Sequence, residues 1–216
     1  CVVLENFVDY NDFNCDINTK KDDFLFVGRL TKEKGFYNLL EAVQILKDLQ
    51  FKFIVNIIGL ASTDKEQFEI ENLIETRNLS NHINLLGAKF GDHKNEIFKK
   101  TKCLVFPSHF ENSPVVLKEA IASKMAIIAS DIFDNKNILG QRDNFVLSIK
   151  DNSLSLASQM QFILENTEFT LNLCQASSLI KDYSTEVASE KLNSIIRATV
   201  GDNLNIGPSY IVSDIK

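Results

Sequence analysis

Two glutamates and two basic residues carry the chemistry this sequence could perform. Glu111 and Glu119 flank a junction where an apolar run, Cys103-Leu104-Val105-Phe106, passes through Pro107-Ser108-His109-Phe110 toward a helix expected to open at Ser113-Pro114. Ser113 has the side chain of a good N-cap, and Pro114 suits the first helical position because its missing N–H has no intrahelical partner to lose. The unpaired N–H groups of such a helix start form an anion site. Glu111 lies before the opening, where a carboxylate can face a ligand at the mouth. Glu119 lies about one to two turns inside it, within reach of sugar hydroxyls lying against the first turns. Farther back, Gly28-Arg29-Leu30 closes another apolar run, and Lys34-Gly35 precedes a long helical stretch. Gly28 permits close backbone approach, and Arg29 and Lys34 place two cations beside a strand end.

Each of these residues also has an ordinary reading. Arg29, Lys32 and Lys34 read singly as solvated loop charges offsetting Glu33, Glu119 as a surface helix residue and Glu111 as a loop solubiliser. What brings them together is the order of elements. Short apolar runs at 24–27, 53–58, 83–86, 103–106 and 126–129 stop at Gly28, Gly59, Gly87, Pro107 and Ser130, and a further run follows at 145–147. Helical spacing of apolar residues occupies 37–49, 64–79, 92–100 and 114–123, then 154–165, 168–181 and 185–199. Apolar strands connected through helices predict an α/β fold, a Rossmann-like parallel sheet of about six strands with helices on both faces. In such a sheet ligands bind beyond the carboxyl ends of the strands, and all four charged residues fall there. Residues 1–22 read as an interdomain linker or remnant, 23–182 as the sheet domain, 183–200 as a C-terminal helix and 201–216 as a tail, as in a piece of a longer protein.

Composition narrows the partners. The 216 residues are 44% hydrophobic and 24% charged, enough for a sizeable core. The net charge of −6 argues against a nucleic-acid partner, since phosphate-backbone binding needs a positive surface. No apolar run reaches the roughly 18 residues of a membrane span, and the N-terminus lacks a signal-peptide pattern. Cys1, Cys15, Cys103 and Cys174 form no CxxC, which suits reduced thiols in a cytoplasm. His82, His93 and His109 have no helical pair spacing, so no metal site is expected.

Gly28-Arg29-Leu30 with Lys34-Gly35, then Ile58-Gly59, then Leu86-Gly87, then Pro107-Ser108 with Glu111, Pro114, Glu119 and Ala120 follow an order that resembles the C-terminal, donor-binding domain of group 1 (family 4) GT-B retaining glycosyltransferases. The resemblance spans about residues 1–199, and Val3-Leu4-Glu5-Asn6-Phe7-Val8-Asp9 resembles the segment joining the two domains of these enzymes. It implies a missing N-terminal, acceptor-binding domain. It further implies a metal-independent, cofactor-free hexosyltransferase that moves a sugar from a nucleotide-diphosphate sugar, UDP-sugar by default, to a glycan or lipid-linked acceptor with retention. The donor-binding residues it implies are Gly28, Arg29, Lys34, Gly59, Gly87, Glu111, Asn112, Ser113, Pro114, Val115 and Glu119, with Arg29, Lys34 and Glu111 catalytic. Arg29 and Lys34 would bind the diphosphate and stabilise charge on the leaving group. Glu111 would position the hexose hydroxyls, Glu119 the ribose hydroxyls, and the backbone from Asn112 to Val115 the β-phosphate. Carbohydrate or polysaccharide biosynthesis in the cytoplasm is the implied setting, with peripheral association at the inner membrane face left open.

The pattern is not complete. Lys124 and Ala126 stand where the family usually has Gly then Pro, Phe133-Asp134 and Asn137 where it often has a Gly-Gly turn and a glutamate, and Leu60-Ala61 where a second glycine is common. Bulk in ligand-facing loops means that donor choice does not carry over from the family, and a non-catalytic nucleotide-sugar-binding module is the alternative. A dinucleotide oxidoreductase fits poorly, because no G-x-G-x-x-G follows the first strand and Gly59 stands where an acidic residue would cap the second.

Overall fold

Alternation within each strand decides the architecture, in a computed structural model that describes residues 6–140, 145–177 and 183–200. In β1 (Asp22–Val27), Phe24 and Phe26 join one apolar cluster and Leu25 the other; β4 (Thr101–Phe106) divides Cys103 and Val105 from Leu104 and Phe106 in the same way. In β5 (Ala126–Ser130), Ala126 and Ile128 face opposite to Ile127 and Ala129. Strands apolar on both faces must be covered on both. Helices α2 (Phe36–Asp48), α3 (Asp64–Thr76), α7 (Ser153–Glu165) and α8 (Thr167–Ser177) cover the first face. The helical turn α1 (Tyr10–Phe13) and helices α4 (Gly91–Lys100), α5 (Val115–Ala122) and α6 (Phe133–Leu139) cover the second. In α2 the buried Phe36, Leu39, Leu40, Val43 and Leu46 keep the three-and-four spacing of a core-facing stripe.

With β2 (Val55–Ile58), β3 (Ile83–Gly87) and β6 (Phe145–Ser148), the sheet has six strands in the order β3-β2-β1-β4-β5-β6, all neighbours parallel. The chain builds outward from β1 to β3, then returns through α4 to set β4 beside β1, with Phe24 opposite Cys103 and Leu25 opposite Leu104. That reversal opens a crevice at the carboxyl ends of β1 and β4, the switch point where doubly wound sheets bind ligands.

All six strands fall where the apolar runs predict them. β2 starts later than Phe53, because Ile54 donates its N–H to the Asp23 side chain at 3.2 Å. Helix α3 stops at Thr76, short of Leu79, where Asn78 adopts φ +54°. The last part of the 168–181 expectation and the tail at 201–216 lie outside the described residues, as do residues 1–5. Within the expected linker, α1 buries Phe13 edge-on against Phe98 of α4, with ring centroids 5.7 Å apart, and a 3-10 turn, Ile17–Thr19, follows. Helix α6, not anticipated from the sequence, is the other addition. Before α9 (Thr185–Val200), Val8 bridges Ser184 and donates to Tyr183 O at 3.0 Å, so the entering and leaving segments meet. Among the described residues, no helix is long and apolar enough to cross a membrane.

Candidate functional site

The loops after β1 and β4 are laced together. His109 N donates to Glu33 O at 2.8 Å, across the crevice. Gly35 takes φ +69°, and a Cβ there would lie 2.0 Å from the Pro107 carbonyl oxygen, so only glycine fits this contact. Gly59 makes the corresponding approach between strand ends, since its Cβ would lie 1.9 Å from Gly28 O. Gly28 itself would meet only ordinary contacts, so the close approach expected of it is made possible by Gly59. Gly87 has φ +68° at the end of β3 and opens onto free space.

This lacing brings Lys34 and Glu111 together. Lys34 Nζ donates to Glu111 Oε1 at 2.6 Å, and Ser108 Oγ donates to the same oxygen at 2.7 Å. The Glu111 side chain is only 10% exposed, so these charge-assisted bonds hold it in one orientation. Behind it, Ser130 Oγ donates to Ser108 O, and the buried Asn135 of α6 donates to Ser130 O at 3.0 Å. Arg29 stands exposed on the β1 loop and acts on the Glu33 charge, while Asn112 is exposed between Glu111 and the α5 start.

The α5 start differs from the expectation. Pro114, with ψ 104°, is the extended N-cap residue rather than the first helical one, and no side chain caps the helix. Ser113 is not the cap; its hydroxyl lies 3.5 Å from Lys118 Nζ. The N–H groups of the first helical turn, beginning at Val115, therefore lack a side-chain cap, and Pro114 has no N–H to offer an anion. Glu119 is buried at 6% exposure on α5 and accepts from Lys94 Nζ of α4 at 2.5 Å. Burial pushes the Glu119 carboxyl above its ordinary range, and the Lys94 hydrogen bond and charge partly oppose this.

Lys94 and Ser130 are contacts that the reading by motif missed. Lys94 lies 25 residues from Glu119, and no local pattern links them. The one available signal was position: Lys94 falls in the first turns of the helix after β3, on the sheet edge shared by the other site residues. Lys124 shows how a departure is absorbed. It adopts φ +54° after α5, with Met125 N bonded to Ala120 O and Lys124 N to Ile121 O, both at 2.9 Å. These bonds make the left-handed helix stop that glycine usually forms. Phe133, by contrast, is 79% exposed at the start of α6. No three His, Cys, Asp or Glu residues among those described could hold a metal ion.

A family model described as Glycosyl transferases group 1 matches residues 9–196. The chain belongs to this family. An uncharacterized glycosyltransferase of Methanocaldococcus jannaschii is 31% identical over 185 residues, covering 84% of this chain and 49% of that protein. An N-acetylgalactosaminyltransferase of Campylobacter jejuni, whose name specifies a diphospho-undecaprenol-linked acceptor, is 29% identical over 171 residues, 77% of this chain and 45% of its own. The chain thus spans about half the length of these relatives. Among solved structures, a glycosyltransferase from Rickettsia africae superposes with TM-score 0.80 at 18% identity, over 93% of this chain and 57% of the other. HepE of Anabaena, in complex with UDP, gives 0.78 at 16% identity over 91% and 57%. These likenesses show that the chain has the Rossmann-like α/β fold found in GT-B glycosyltransferases.

Proposed function

We propose that this chain is the donor-binding half of a glycosyltransferase that moves a sugar from a nucleoside-diphosphate sugar to an acceptor with retention and without a metal ion. The observation that carries the reading is the Lys34–Glu111 pair at the switch point, 2.6 Å apart and flanked by the uncapped start of α5. When the bond from the anomeric carbon to the phosphate oxygen breaks, negative charge grows on the departing diphosphate. Lys34, Arg29 and the N–H groups at the start of α5 supply fixed positive charge for it, the work a divalent ion does elsewhere. Glu111, held by Lys34 and Ser108, positions the hexose hydroxyls. Glu119 takes the ribose hydroxyls one turn inside α5. Gly59 lets the ends of β1 and β2 approach so that Gly28 can face the donor, and Gly87 leaves the end of β3 open to it.

UDP-sugar is the first donor to test, because HepE and the Staphylococcus aureus protein TarM, both similar in fold, have been solved with UDP. The acceptor, a glycan or lipid-linked glycan, would be held by a domain outside this chain. The names of the Campylobacter relative and of a diacylglycerol glucosyltransferase of Acholeplasma laidlawii make a lipid or lipid-linked acceptor the class to test; a place at the inner membrane face is part of the same proposal. Exposed Phe133, in place of a glycine turn, favours a second reading, a module that binds nucleotide sugar without transferring it.

The deciding experiment is calorimetry of UDP, GDP, ADP, their sugar conjugates and NAD against this chain without added metal. Metal-free binding of one diphosphate class, lost in Lys34→Ala, is expected. Binding of NAD alone, or of nothing, overturns the donor-site reading. A full-length protein that binds donor but neither hydrolyses nor transfers it selects the non-catalytic module.

A further inference from the structure

Glu119 has two carboxylate oxygens, and they are treated differently. Oε1 accepts from Lys94 Nζ at 2.5 Å, whereas among the described residues Oε2 accepts no hydrogen bond. Among the described residues, Lys94 is the cation paired with this carboxylate. Its helix neighbour Lys118 turns away to Asn6 O at 2.8 Å and stacks over the Tyr183 ring. From the β4 loop, Glu111 is occupied by Lys34 and Ser108. Lys94 is the charged group, among those described, that acts on Glu119. Its own side chain is 22% exposed and its ammonium lies 5.9 Å from the Phe98 ring centre, so it is partly withdrawn from water and directed inward from α4.

We infer that Lys94 is a positioning residue for nucleoside recognition, holding Glu119 by one oxygen so that the other is left to accept ribose hydroxyls. The inference rests on the donor-site reading above. Its physical basis is that a carboxylate buried on α5 rotates and takes up a proton unless a cation fixes it, and a protonated carboxyl accepts hydroxyl hydrogen bonds poorly. Lys94 therefore acts through Glu119, on discrimination for the ribose, and makes no demand on the base or the transferred sugar.

The test compares UDP, GDP and ADP with their 2′-deoxy counterparts, by calorimetry on this chain across mildly acidic to neutral pH. The phosphate's own titration cancels in each ratio. Unaltered protein is expected to prefer the ribonucleotide that it binds. Lys94→Met should reduce that preference about tenfold and move the pH at which it fades upward by about one unit. Lys94→Arg should restore both. Should the Met variant not fold, Lys94→Gln, which keeps a donor without the charge, is expected to show the same upward movement. Equal loss for ribose and deoxyribose, or lower thermal stability with an unchanged ratio, makes Lys94 a strut between α4 and α5 and overturns the inference alone. A stronger ribose preference in Lys94→Met means the lysine competes with the ligand, which also overturns it. Unaltered protein that binds no diphosphate, or does not distinguish ribose from deoxyribose, overturns the donor-site role of Glu119 and this inference with it.

Discussion

Lys34 Nζ and Glu111 Oε1 lie 2.6 Å apart although 77 residues separate them in the chain. Their meeting follows from the return of the chain through α4, which places the loop after β4 against the loop after β1. The contact then depends on Gly35, whose missing side chain lets the Pro107 carbonyl approach. A cation and a carboxylate from two loops are thereby held at one point, and a donor bound as proposed above would meet them already ordered.

Lys34→Ala is expected to weaken nucleoside-diphosphate binding by about 10- to 100-fold, the loss of one charge-assisted hydrogen bond of about 1.5–3 kcal/mol. Calorimetry measures it directly. Unchanged affinity removes Lys34 from the site and leaves it as a loop tie to Glu111.

Gly35→Ala and Gly87→Ala form a matched pair, because both glycines have φ near +70° but only Gly35 faces backbone. The strain common to both is about 1 kcal/mol. Urea unfolding should show the Gly35 variant losing clearly more than the Gly87 variant, with diphosphate binding falling alongside. Equal losses mean the β1 and β4 loops can separate without cost.

Glu119→Gln tests the electrostatic state of the buried carboxyl. Its folded-state titration is raised by burial above the ordinary value. A carboxyl raised on folding stabilises the fold when protonated, and that contribution is lost as pH rises through the folded value. Thermal melts between about pH 4 and pH 8 should therefore show the neutral Gln variant gaining on the unaltered protein as pH rises, with the gap closing at the acid end. The opposite slope means that Lys94 stabilises the charge more than burial opposes it.

Phe13→Ala should destabilise the domain by about 3–5 kcal/mol, the usual cost of emptying an aromatic core site. Phe13 is 4% exposed and meets Phe98 edge-on. A change within about 0.5 kcal/mol means that the segment before β1 behaves as a loose linker despite that contact.

The strands were legible because each apolar run is bounded by a residue that stops it, as Gly28 and Pro107 do for β1 and β4. Helix α6 was not, since Asp134-Asn135-Lys136-Asn137 shows no apolar period and its buried Asn135 is held by a hydrogen bond to Ser130, a tertiary contact. The α5 start was misplaced by one residue for a related reason. Ser113 and Pro114 have the preferences of a cap and a first helical residue, but Lys118 engages the Ser113 hydroxyl and the backbone turns helical only after Pro114.

Local chemistry in the sequence thus determined a parallel α/β sheet and placed Arg29, Lys34, Glu111 and Glu119 at its carboxyl edge, because strand ends, turn glycines and helix starts act over a few residues. The strand order, the partnering of Lys34 with Glu111 and the recruitment of Lys94 to Glu119 were decided only by tertiary structure. Each joins residues far apart in the chain, and such contacts are set by how both faces of the sheet are buried rather than by any local preference.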